Sequence, residues 1–201
     1  MSPAEKRTYQ ALEDRTKALS IALGFRDYST LEHSDRVQIL AAELGMAVGL
    51  SEGQLSALRI SSKFHDIGKI GIPDRILMKP DKLDRDDWEV MQRHPEIGEK
   101  IVCSTELDGA QQTAHIIRHH HEHFDGSGYP DNIAGEDIPI GARIISIVDS
   151  YDAMAFTRPY HRGRRHTEII TLITQETGVK HDPYLLKHFC QIIETSPNRI
   201  P

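Results

Sequence analysis

The sequence is short of cysteine, of long apolar runs and of positive charge, and each shortage removes a class of protein. It has 2 cysteines in 201 residues, Cys103 and Cys190, far apart in the chain. One distant pair is no disulfide framework, so a reducing compartment is expected. No stretch approaches the ~20 consecutive apolar residues that a spanning helix requires, so no membrane span is expected. The first residues, Met1-Ser2-Pro3-Ala4-Glu5-Lys6-Arg7, lack the apolar segment of a secretory signal, and the expected location is the cytoplasm. Lysine and arginine number 24 against 30 aspartates and glutamates, a formal charge of −6. Nucleic-acid binders want a basic face, so no DNA partner is expected. An anionic substrate stays compatible, because bound divalent metals reverse the local field. Alternating hairpin patterns, internal repeats and low-complexity tracts are missing too.

What the chain has is helical periodicity. Tyr9, Leu12, Leu19 and Leu23 mark an amphipathic helix with a weak apolar stripe, either a connector from something upstream or an ordinary first helix. Val37, Leu40, Ala41, Leu44 and Val48 repeat at helical spacing, with His33 opening that helix and Gly49 ending it. Ser51 and Gln54 stand at capping-box spacing before Leu55, Leu58 and Ile60. Asp84 can cap a helix over 85–92 with Trp88 and Met91 on its inner face. Pro95 suits the first turn of the next helix, to about Thr105, and another covers roughly Gly109 to His121. Ile140 to Phe156 reads as helix, although its isoleucines alone would suit a buried strand. Glu168 to Thr177 and Pro183 to Ile193 complete the set. The expected fold is all-α, a bundle of about seven to nine helices, with a Gly/Pro-rich lid loop from Asp125 to Pro139. Residues 1–24 read as an N-terminal helix or connector, and 25–201 as the domain that carries the chemistry.

Histidine is the compositional outlier, with 12 residues. Histidines clustered beside Asp and Glu are a metal signal. The densest run is His119-His120-His121-Glu122-His123-Phe124-Asp125-Gly126-Ser127-Gly128-Tyr129-Pro130. His120 and His121 read as ligands, Glu122 as ligand or imidazole support, and His119 and His123 as exposed bystanders. Upstream lies His65-Asp66-Ile67-Gly68-Lys69-Ile70-Gly71-Ile72-Pro73-Asp74. His65 and Asp66 can converge on metals at a helix end, with the carboxylate bridging. Lys69 points over the same face and suits a phosphate oxygen better than a metal. His94 and His33, each taken alone, read as caps. Asp149 follows an apolar run, so its carboxylate must be paired or bind metal; its neighbour Asp152 reads as a supporting group. Between Ala153 and Thr167 lie Arg158, Arg162, Arg164 and Arg165 without an acidic residue, a solvated basic loop or a phosphate-facing one.

Together these residues resemble the HD-GYP family of metal-dependent phosphohydrolases, over roughly Phe25 to Phe189. The resemblance rests on His33-x-x-Arg36-Val37, the His65–Asp74 segment, Lys79-Pro80, His94, His120-His121-Glu122 and the Asp125–Pro130 segment. It continues through Gly135-Glu136-Asp137-Ile138-Pro139, Ala142-Arg143-Ile144, Asp149-x-x-Asp152-Ala153-Met154 and Arg158-Pro159-Tyr160. It implies two divalent transition metals, Fe or Mn, with Ni, Co or Zn as alternatives. His33, His65, Asp66 and Asp149 would hold one, and Asp66 would bridge to a second held by His94, His120 and His121. Lys69 would contact the scissile phosphate. Gly128, Tyr129, Pro130, Arg158 and His161 would shape the substrate site. Some family members carry a glutamate where this chain has Ser29, so two metals rather than three are expected. His123-Phe124 stands where the family often has Arg-Trp, and His161 where it often has Lys or Arg, which would make that contact sensitive to pH.

The activity implied is hydrolysis of cyclic di-GMP to linear pGpG, GMP or both, through a hydroxide activated between the metals. The alternatives are a non-catalytic cyclic-dinucleotide-binding or signalling module, and a hydrolase of cyclic GMP-AMP or another nucleotide. The resemblance also implies an upstream sensor or receiver domain, and admits a diguanylate cyclase partner and a homodimer.

Overall fold

The helical period of the sequence is realised in ten α-helical segments and two 3₁₀ turns among the described residues, 3–26, 28–156 and 163–200 of a computed structural model. The helices are α1 (Pro3–Arg26), α2 (Tyr28–Ala47), α3 (Glu52–Phe64), α4 (Asp74–Leu77), α5 (Arg85–Met91), α6 (His94–Cys103), α7 (Ala110–His119), α8 (Ile140–Ala155), α9 (His166–Gln175) and α10 (Pro183–Ile193). The 3₁₀ turns are Ile67–Gly71 and Gly135–Asp137. Only α4 is a single turn, so nine helices are longer, and the described residues hold no strand beyond an isolated bridge between Thr177 and His181. None of the helices is long and apolar enough to cross a membrane.

Capping residues set several starts. At α3, Gln54 N donates to Ser51 Oγ while Ser51 N donates to Gln54 Oε1, closing the box. Asp84 accepts from Asp87 N at the head of α5, and Pro95 lies in the first turn of α6. Asp182 Oδ1 accepts from Tyr184 N and Leu185 N at the head of α10. Its other oxygen takes a 2.6 Å bond from Arg143, which ties α8 to that cap.

Two apolar cores form. In one, Val37, Leu40 and Leu44 of α2 meet Ala57 and Leu58 of α3, Ile144, Ile145 and Val148 of α8, and Phe189 of α10. In the other, Leu12 and Leu23 of α1 meet Ile60 and Phe64 of α3, Val102 of α6 and Ile117 of α7. Full burial of such a side chain contributes about 1.5–3 kcal/mol. Helices α3 and α7 turn residues into both cores, so their ends lie between them.

Two local expectations are corrected. Trp88 is not on the inner face of α5: it is 45% exposed. The buried position is Asp87, which receives Arg75 at 3.0 Å and Lys79, so ion pairing takes the inward face of this short helix. His33 is not a cap, because α2 starts at Tyr28 and carries His33 in its second turn.

Candidate metal centre

The junction between the cores collects donor residues from five elements. His33 comes from α2, His65 and Asp66 from the end of α3, His94 from the start of α6, His120 and His121 from the end of α7, and Asp149 from α8. The close approach of α6 depends on Gly68: a Cβ there would lie 1.9 Å from His94 O. With only hydrogen at that position, His94 Nε2 reaches 3.4 Å from Asp66 Oδ1.

The imidazoles share one orientation. His65, His94 and His120 each direct Nδ1 at a backbone carbonyl, of Ser62, Met91 and Ile117, at 2.7, 2.9 and 2.6 Å. A carbonyl only accepts, so Nδ1 carries the proton and Nε2 keeps its lone pair. Those Nε2 atoms point inward: His65 to 3.5 Å from Asp66, His94 to 3.4 Å from His120 Nε2. Such an anchored ring is how proteins present imidazole to a metal. His33 repeats the device with a carboxylate: Nδ1 lies 2.6 Å from Asp152 and Nε2 3.0 Å from Asp149. Asp152 is itself gripped by Arg36 through two bonds of 2.7 and 3.0 Å. The buried Nε2 of His65 has no hydrogen-bond partner among the described residues. An orphaned lone pair in this setting fits a metal ion, and the nitrogen and carboxylate donors suit divalent transition metals.

The donors fall into two groups close enough to act together, His33 with His65 and Asp66, and His94 with His120 and His121. Burial lowers His94 to about 4 and, helped by repulsion from His65 and His94, His120 to about 3. Burial also holds His121 well below the usual value. These rings are neutral at pH 7, the ligating form. His33 goes the other way. Burial opposes its charge, but the bonds to Asp149 and Asp152 outweigh it and raise the ring to about 9. For Asp66 burial favours the neutral acid, yet Lys69, His65 and His94 outweigh it and hold the carboxyl well below its usual range. Lys69 Nζ donates to Asp66 Oδ2 at 2.6 Å.

The loop after His121 covers this centre. Tyr129 stacks on His121, centroids 4.9 Å apart and planes at 27°. Burial, then the charges of Asp66 and Asp149, push its phenol pKa up. Gly128 lies flat on the chain before it, where a Cβ would meet His123 N at 2.2 Å. Pro130 follows Tyr129 through a cis peptide. The Gly/Pro-rich loop is fastened by Gly135 N to Phe124 O at 2.8 Å, Asp125 N to Val179 O at 2.9 Å and Asp131 N to Glu122 Oε1 at 2.6 Å.

Sequence reading missed the clamp that holds the loop. His119 is no exposed bystander: it is 4% exposed and bonds Asp131 at 2.9 Å. Arg118 grips the same carboxylate with two 2.7 Å bonds and reaches Glu99 at 2.7 Å. His119, Glu122 and Asp131 are close enough to hold a metal, but the guanidinium already neutralises Asp131. Asp131 follows directly on the Tyr129-Pro130 dipeptide, which was the available signal. Arg158 and His161 lie outside the described residues, as does the Ser29 side chain. Arg164 and Arg165 are exposed.

A helical domain whose junction holds two adjoining His/Asp donor groups is a class that known proteins share. A model of the HD domain matches residues 17–185, and the chain belongs to the HD domain family. It is 36% identical over 183 residues to the cyclic di-GMP phosphodiesterase response regulator RpfG of Xanthomonas campestris pv. campestris, covering 91% of this chain and 47% of that protein. It is 36% identical over 179 residues to the 3'3'-cGAMP-specific phosphodiesterase 2 of Vibrio cholerae, covering 87% and 34%. The crystal structure of a V. cholerae cyclic GMP-AMP specific phosphodiesterase, V-cGAP3, matches the fold with a TM-score of 0.67 at 19% identity, over 90% of this chain and 49% of that one. The chain thus spans less than half the length of these relatives.

Proposed function

We propose that this domain is a metal-dependent phosphodiesterase that hydrolyses cyclic di-GMP to pGpG, GMP or both. The observation that carries this reading is the set of anchored imidazoles whose Nε2 atoms turn toward Asp66 and Asp149. His33, His65, Asp66 and Asp149 would hold one divalent ion, and His94, His120 and His121 a second, with Asp66 available to both groups. Fe or Mn fits first, and Ni, Co or Zn share the donor preferences. Such ions supply Lewis acidity and lower the pKa of coordinated water toward neutrality. The chain's own part is placement. Lys69, one bond from Asp66, offers a cation to a phosphoryl oxygen where charge builds in the transition state. Tyr129, with Gly128 and Pro130, walls the substrate side. Arg158 and His161 belong to a basic segment suited to the second phosphate.

Cyclic GMP-AMP is a second reading, favoured by a specific likeness: the Vibrio relative named for it matches at the same 36% as the cyclic di-GMP relative. A cytoplasmic location, a partner sensor, receiver or diguanylate cyclase domain, and a homodimer accord with a second-messenger role. The test is metal quantification under anaerobic conditions, followed by chromatography of products from both dinucleotides. Asp66→Asn is expected to lose metal and at least about 10²–10³-fold in turnover. Near-wild-type turnover by that variant, or a fully metallated wild type inert on both dinucleotides, would overturn the proposal.

A further inference from the structure

We propose that Trp88 is a nucleobase-stacking residue, the outer ring of the substrate site; this rests on the hydrolase reading above and adds a subsite to it. The chain has 1 tryptophan, and it is spent on a surface where the residue stays 45% exposed. Its mounting is fixed at both ends. Asp84 caps α5, Asp87 is locked by Arg75 and Lys79, and Gln92 N closes on Trp88 O at 2.9 Å. Directly beyond, Met91 O anchors the His94 imidazole at 2.9 Å, so α5 and the donor group form one piece. The indole stands edge-on to Tyr129, centroids 6.2 Å apart and planes at 80°. Tyr129 in turn stacks on His121 at 4.9 Å. Three aromatic rings therefore step from the inner donor group to the surface, and the outermost leaves much of itself uncovered.

A cyclic dinucleotide has matching chemistry. Its base lies one sugar away from the phosphate that must sit at the metals, and a purine offers a flat π-face. Stacking a base on an aromatic ring is worth about 1–3 kcal/mol by alanine substitution, roughly 5–150-fold in affinity, and tolerates any base. Trp88 thus serves a guanine or an adenine alike, and sets the preference for a dinucleotide over a phosphodiester without a base.

The test uses the metal-loaded full chain. Tryptophan emission reads this one ring, so saturating quenching by guanosine monophosphate, absent with ribose 5-phosphate, is expected; equal quenching or none by the two overturns the proposal. Trp88→Ala is expected to raise KM for cyclic di-GMP and for cyclic GMP-AMP by about tenfold. Its kcat/KM for these should fall at least fivefold more than for bis(p-nitrophenyl) phosphate, which carries no purine. Trp88→Phe, which keeps a π-face, should recover most of the loss. An equal loss on all three substrates, or no rescue by Phe, makes the indole a prop for Tyr129 and sinks the idea. A wild type inert on every diester would instead refute the hydrolase reading, while the emission titration would still judge Trp88.

Discussion

A histidine is aimed by whatever holds its other nitrogen, and at His33 that is a carboxylate fixed by a guanidinium. Asp152 takes a 2.6 Å bond from the ring and two from Arg36. Removing it in Asp152→Ala frees the ring to turn and leaves Arg36 without its partner. Metal affinity at the His33 group is expected to fall about 10–100-fold, as for other outer partners of ligating histidines. Competition with a graded chelator should show one weakened ion and one near-normal ion. Equal weakening of both, or of neither, would place Asp152 outside this role. Lys69→Ala makes a contrasting prediction. It is expected to lower kcat while both ions remain, measured by elemental analysis beside steady-state kinetics; metal loss would make Lys69 structural. His65-Asp66 and His120-His121 stood out as candidate donors because each pair is adjacent in sequence, whereas His33 and His94, taken alone, did not. The Arg36–Asp152 grip was not, since it joins residues far apart in the chain. Only the packing of α2 on α8 brings them together.

At the scale of elements, the glycines divide by what surrounds them. Gly68 sits in the 3₁₀ turn that α6 presses against, and a Cβ would lie 1.9 Å from His94 O and 2.6 Å from Gly98 N. Backbone cannot yield as a side-chain tip can, so Gly68→Ala must push α6 away from α3. Overpacking costs about 1–3 kcal/mol, and the same shift carries His94 off Asp66. Gly53, in the first turn of α3, has nothing within 4 Å of a built Cβ. There Gly53→Ala is expected to gain about 0.5–1 kcal/mol by restricting the unfolded chain. Urea unfolding of both variants checks the pair: Gly68→Ala lowered, Gly53→Ala raised, with metal loss confined to the first. The sequence marked both residues equally as glycine. Capping boxes and apolar periods were readable because they are local along the chain. Which glycine meets another helix is settled only once the helices are packed.

The architecture of the whole molecule was legible for a related reason: a helical period repeated through most of the chain leaves few ways to bury the apolar stripes. The meeting of separate loops was not. His181, between α9 and α10, belongs to none of the motifs, yet it is 1% exposed and neither ring nitrogen has a hydrogen-bond partner among the described residues. Glu176 Oε2 approaches its Nε2 to 3.4 Å without making that bond. Burial, then the positive charges of Lys180 and His123, lower the ring to about 3, against a smaller pull from Asp149. A folded-state value below the unfolded one means that the unfolded chain binds the proton first. The stability that neutral His181 contributes is therefore complete above about 6.5, the unfolded value. It is lost as pH falls toward 3, with a slope reaching at most ~1.4 kcal/mol per pH unit from this one proton. Besides holding His181, this turn accepts bonds from the loop through Lys180 O and Val179 O, to Phe124 N and Asp125 N. Acid should thus loosen the base of the loop that carries Tyr129. His181→Phe fills the same space without a titrating nitrogen. Subtracting its urea-derived stability from that of the wild type between pH 7 and 4 isolates the His181 proton from the other buried rings. The difference is expected to tilt against the wild type as pH falls, and a flat difference would mean that His181 titrates alike in both states.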